Sequence, residues 1–108
     1  MDKNNFQVVF KEMNNKFVIS ISGFLDAHTA PILEQAIKEQ IENGNYNLFI
    51  DFENLDYISS AGFGVFMEFI EEIRQNGGDL VMINMKEKIR RLFEILGFDI
   101  LFKINPLE

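Results

Sequence analysis

Five consecutive residues, Leu48-Phe49-Ile50-Asp51-Phe52, constrain the fold of this chain more than any other stretch. A run so short and so nearly continuous in apolar residues reads as a strand covered on both faces, the pattern of a parallel sheet. Parallel neighbours cannot be joined by a tight turn and need a long crossover, usually a helix. The flanking residues supply one on each side. Upstream, Ile32, Leu33, Ala36, Ile37, Gln40 and Ile41 form one apolar stripe at helical spacing, with Pro31 suited to the first turn and Gly44 to the C-terminal cap. Downstream, from about Ser60 to Gln75, Phe63, Phe66, Met67, Ile70 and Ile73 share one face while Glu68, Glu71 and Glu72 share the other, and Gly77-Gly78 stops the helix.

The rest of the chain completes an alternating pattern. Residues 6–11 and 16–22 are short runs rich in Val, Ile and Phe around the Met13-Asn14-Asn15 turn signal, which reads as a β-hairpin. Leu80-Val81-Met82-Ile83 is another apolar strand, and a loop is expected over residues 53–59. Asn84 with Glu87 resembles a capping box opening a third helix, whose buried stripe is Ile89, Leu92, Phe93 and Leu96 and whose end is Gly97. Residues 100–104 form a last strand or a docked tail. The order β-β-α-β-α-β-α-(β) predicts an α/β domain with helices packed on a mixed sheet of four to five strands. No linker or repeat interrupts it, so one domain over residues 1–108 is expected, a length able to bury about two-thirds of its unfolded surface.

Composition narrows the chemistry. A formal charge of -7 opposes nucleic acid and anionic membranes, whose affinity rests on neutralising phosphate. The absence of cysteine removes disulfides, thiolate nucleophiles and zinc-thiolate sites. Residues 1–5 lack a basic region leading into an apolar one, and no apolar run approaches the roughly 20 residues that span a bilayer, so a cytoplasmic location is expected.

Asp56-Tyr57-Ile58-Ser59-Ser60-Ala61-Gly62-Phe63-Gly64 sets two hydroxyls and two glycines between a buried strand and a buried helix, where ligands and partners of open α/β sheets usually act. The alternative is plain N-capping by Ser59 or Ser60, with Gly62 allowing close packing. Dinucleotide, P-loop and nucleophile-elbow motifs are absent. A Ser-His-Asp device would need His28, the sole histidine, beside Ser60 with Asp26 or Asp51 to orient it; a solvated His28 is the simpler expectation. The twelve Phe and five Met read as core rather than as a cofactor box, and Lys86, Lys88, Arg90 and Arg91 as a solvated helix face. No cofactor, metal or catalytic residue is indicated.

The run from Leu48 to Val65 resembles the signature of STAS domains, specifically the anti-sigma factor antagonists, and Gly23-Phe24-Leu25-Asp26-Ala27-His28-Thr29-Ala30 is similar to that family's Gly-x-Leu-Asp turn. The resemblance covers essentially the whole chain. It implies a STAS fold and a phosphorylation-switched binding module, not an enzyme, with Ser60 as phosphoacceptor. It places partner binding on Asp26, His28, Thr29, Ser59, Ser60, Ala61, Gly62 and Phe63. The implied partners are a serine-kinase anti-sigma factor, which the unmodified chain would capture to free a sigma factor, and a serine phosphatase. A monomer or weak dimer is expected. Many members carry Asp before the phosphoacceptor and Leu after the glycine, where this chain has Ser59 and Phe63. The rival reading is a ligand-sensing STAS module, which would need a pocket and phosphate-binding cations near Asp26 and Ser60.

Overall fold

The hairpin turn is set by Asn14 and Asn15, with φ of 53° and 65°. Two left-handed residues in a two-residue loop match the twist of the flanking strands, and Asn tolerates that conformation best after Gly. The computed structural model describes residues 6–106, so the leader reading of residues 1–5 lies outside it. Its elements are β1 (Gln7–Met13), β2 (Lys16–Leu25), α1 (Ala30–Glu42), β3 (Asn47–Ile58), α2 (Ser60–Gln75), β4 (Asp79–Ile83), α3 (Glu87–Ile95), α4 (Phe98–Leu101) and β5 (Lys103–Ile104). They form one sheet in the order β1-β2-β3-β4-β5, with β1 antiparallel to β2 and every later neighbour parallel.

That order corrects the expectation of a strand buried on both faces. When parallel strands follow one another in sequence order, right-handed crossovers place every helix on the same side. Leu48, Ile50 and Phe52 are accordingly fully buried beneath helices, while Phe49 and Asp51, on the opposite side, are only half-buried. On that open side Asp51 accepts from Ser20 Oγ at 3.3 Å and Asn84 Nδ2 at 3.1 Å.

The expected loop over residues 53–59 is instead the second half of β3. Two register shifts against β2, between Ser20 and Ser22 and between Gly23 and Phe24, insert an extra β3 residue each time. Each extra residue flips the alternation, so Phe52, Leu55 and Ile58 all point inward at a spacing of three. The bulges leave only Ser59 between β3 and α2.

Beneath the sheet, aromatic rings weld α2 to the C-terminal elements. Phe52 lies 5.8 Å from Phe66, and Phe63 lies 4.8 Å from Phe93 and 5.2 Å from Phe98, at tilted and edge-on angles that suit the ring quadrupole. Asp79 ties the C-terminus of α2 to β4 and β5. Partial burial alone would raise its carboxyl pKa, but the Leu80 N–H, Arg74 and Lys103 hold it below the usual carboxylate range.

Several expected details differ. Ile32 and Met67 are exposed rather than part of the buried stripes, because each lies about 40° past the edge of the arc its helix presents inward, and Leu96 is exposed because it is the C-cap beyond the last turn of α3, whereas Phe69 and Val65 are buried. Asn84 does not open a capping box: its φ is 55°, its side chain serves Asp51, and α3 starts at Glu87 behind Lys86. Gly97 does end α3, with φ of 79°, but the short α4 follows before β5. The basic residues of α3 make exposed i,i+4 pairs, Arg90 with Glu94 and Arg91 with Glu87, consistent with a solvated face.

Candidate functional site: two strand-to-helix junctions

β2 and β3 end side by side, with Leu25 opposite Ile58, and each runs into a helix. The junctions are joined by the Ser59 N–H, which donates to the Leu25 carbonyl at 2.9 Å. Gly62 closes the remaining space: a Cβ there would stand 2.7 Å from Leu25 Cγ and 2.9 Å from Ile58 Cγ1, so only glycine lets α2 seat this near the strand ends. Close packing at Gly62 was expected; its cause is the meeting of these two strand ends.

The α1 junction is tightly tied. Asp26 Oδ1 accepts from the N–H groups of His28 at 2.9 Å and Thr29 at 3.2 Å. Thr29 Oγ1 in turn accepts from the Asp26 N–H at 2.9 Å and donates to the Phe24 carbonyl at 2.7 Å. Asp26 thus caps the turn that leads into α1, while Thr29, at the N-cap position of the helix itself, makes no side-chain capping bond to it. His28 is exposed, and among the described residues its imidazole takes part in no hydrogen bond, so no Ser-His-Asp arrangement is assembled.

The α2 junction is left open. Ser59 occupies the N-cap position with extended backbone yet makes no side-chain capping bond, contrary to the capping reading of these serines. Ser60, the first residue of the helix, is exposed, and among the described residues its hydroxyl has no hydrogen-bond partner. The N–H groups of Gly62 and Phe63 turn back to the Ser59 carbonyl, while those of Ser60 and Ala61 find no backbone acceptor among the described residues. The positive end of the helix dipole therefore lies open beside a free hydroxyl.

Of the expected contact residues, Asp26, His28, Ser59, Ser60 and Ala61 reach the surface at this edge. Thr29, Gly62 and Phe63 are buried and support it from below; Phe63 packs against Phe93 and Phe98 in the core. An unexpected neighbour is the stacked pair Phe24 and Tyr57, with ring centroids 5.6 Å apart and 36% and 45% of their surfaces exposed. Both point outward by the ordinary alternation of a strand, one residue before the inward Leu25 and Ile58; an aromatic immediately before each of those was the available signal. Ser60, Gly64, Met67 and Glu71 continue one exposed stripe along α2, and a Cβ built on Gly64 would meet nothing within 4 Å. Farther along, burial and the Glu34 carboxylate of α1 push the Glu68 carboxyl above its usual range, against the opposing pull of Lys38.

Concavities of about 440 and 420 Å³ lie away from these junctions, one against Ile70, Arg74 and Leu101, the other on the open sheet face by Lys11, Lys16 and Asp51. No cluster of potential metal ligands occurs among the described residues, and none of their helices is long and apolar enough to cross a membrane.

A sequentially ordered mixed sheet with helices on one side and a bare hydroxyl at a helix start defines a domain whose exposed chemistry is a surface rather than a cleft. The chain belongs to the STAS domain family, whose model matches residues 7–107. It is 28% identical over 101 residues to the anti-sigma-B factor antagonist of Staphylococcus aureus, covering 94% of each chain. Its fold is similar to that of an anti-sigma factor antagonist from Mycobacterium paratuberculosis, with a TM-score of 0.87 at 24% identity over 98% of this chain and 90% of that one. It is also similar to the Bacillus cell fate determinant SpoIIAA in its phosphorylated form, with a TM-score of 0.69 at 22% identity over 94% and 91% of the two chains.

Proposed function

We propose that this chain, as a single STAS domain over residues 1–108, is a cytoplasmic anti-sigma factor antagonist switched by phosphorylation at Ser60. Unmodified, it captures a serine-kinase anti-sigma factor and so frees a sigma factor; the kinase phosphorylates Ser60 and is released, and a serine phosphatase resets the hydroxyl. It is the substrate and binding partner in this cycle, not the enzyme. The observation that carries the reading is the free, exposed Ser60 hydroxyl at an uncapped helix start beside Asp26 and the Phe24–Tyr57 pair.

The physics favours a switch that acts on the complex. A phosphoserine of about -1.5 to -2 charge at a helix N-terminus meets the open N–H groups and the dipole of its own domain, so the fold tolerates it. At an interface fitted to a neutral hydroxyl the same charge is desolvated and opposed, which costs several kcal/mol of binding, roughly. The exposed aromatic pair supplies the kind of apolar anchor on which interfaces concentrate their energy. The concavities lie elsewhere, which supports this reading over ligand sensing.

The test is to incubate the chain with serine-kinase anti-sigma proteins and ATP and to map the phosphate by mass spectrometry. Incorporation at Ser60, abolished in Ser60→Ala, is expected. Phosphate on Ser59 would move the acceptor by one residue, and a failure to bind or be modified by any such kinase would refute the proposal.

A further inference from the structure

The two edges of the sheet are unlike. β5 is two residues long, and Lys103 on it is ion-paired to Asp79. β1 runs for seven residues, and among the described residues no strand lies along its outer side. A row of free N–H and C=O groups on a long edge is a template for another strand unless it is blunted. Here it is also apolar: Val9, Phe10 and Met13 are 49%, 48% and 56% exposed. From these observations we propose that two copies of this chain associate through their β1 strands, antiparallel about a two-fold axis, joining both sheets into one.

A second copy fits this edge for reasons of symmetry and charge. A two-fold axis normal to the sheet keeps the helix-covered sides together and pairs only positions that face the same way, so the axis must fall on a residue. Placed on Lys11, it would set two ammonium groups opposite each other. On Val9 or Phe10 it sets apolar side chains opposite each other, an aromatic pair in the second case, which is the favourable kind of cross-strand contact. Lys11 therefore does not block the edge but selects the register. β1 carries one positive and one negative charge, Lys11 and Glu12, and so is neutral, while the whole chain is at -7. The edge is a place where like copies meet without bringing their net charge into contact. One short strand pair buries less than the roughly 1,200 Å² of a stable interface, so the association is reversible.

The cysteine-free chain makes the test direct. In sedimentation equilibrium the full chain's average mass should rise towards twice the monomer mass between about 10 µM and 1 mM, more steeply at higher salt, where repulsion is screened. Val9→Lys and Phe10→Lys, both at half-exposed positions, should remain monomeric with unchanged circular dichroism. Val9→Cys or Phe10→Cys should form a disulfide dimer under mild oxidation, since cross-strand Cα separations of about 4.5–5.5 Å suit a disulfide. Lys103→Cys on the opposite edge is the control. A monomer throughout the concentration range, cross-linking no faster than the control, or a dimer that survives both lysine variants would each overturn the proposal.

Discussion

The two junctions at the ends of β2 and β3 perform the same structural task, turning a strand into a helix, by opposite means. At α1 the Asp26 carboxylate and the Thr29 hydroxyl are consumed by reciprocal bonds to backbone. At α2 the hydroxyls of Ser59 and Ser60 bond to nothing among the described residues, and the helix is held by a strand-end hydrogen bond and by the close seat of Gly62. Polar side chains that hold the fold are unavailable for chemistry; those that do not are free for it. The contrast is between side chains bound into the fold at the first junction and, among the described residues, side chains left unbound at the second.

Breaking the seat of α2 should have the largest effect. Gly62→Val drives a branched side chain into Leu25 and Ile58, and a cost of about 1–3 kcal/mol is expected in urea unfolding. An unchanged midpoint would mean that α2 can ride outward and that its position is not fixed. Thr29→Val keeps shape but leaves the Phe24 carbonyl and Asp26 N–H without their hydroxyl partner; a loss of about 1–2 kcal/mol is expected. The corresponding double change at the other junction, Ser59→Ala with Ser60→Ala, should alter stability by less than about 0.5 kcal/mol. A loss above about 1 kcal/mol, the usual value of a cap, would erase the distinction between the junctions.

The smallest effect is electrostatic and lies along the same pair of helices. The Glu68 carboxyl titrates above its unfolded value, so the native state holds its proton more tightly and stability falls as pH rises through that raised pKa. Glu68→Gln should melt like the parent at acid pH and slightly higher at neutral pH, by on the order of a degree, because the site is well solvated. Identical pH profiles for the two proteins would show that Glu34 and Glu68 do not sense each other.

Much of this arrangement was readable from periodicity. The apolar run at Leu48 announced a parallel strand, and α2 spans the expected residues from Ser60 to Gln75. The junction's content was not readable. β3 beyond Phe52 looked like a loop because two bulges destroy the period of two, and those bulges are properties of its pairing with β2 rather than of its own residues. Phe24, counted with the core among the other phenylalanines, points outward beside Tyr57, on the side of the sheet that no helix covers. Which of several Ser, Thr and Asp residues would cap was equally opaque, since the choice depends on where the neighbouring strand ends.

Gly64 gives the open junction a further meaning, that of clearance. One helical turn beyond Ser60 on the same exposed stripe, about 6 Å along the axis, there is no side chain at all and nothing within 4 Å of where one would begin. An exposed glycine inside a helix forfeits about 1 kcal/mol relative to alanine, and no contact among the described residues recovers it. What the gap provides is headroom: between the Ser60 oxygen and the next side chain of the stripe, Met67, the helix surface carries only backbone.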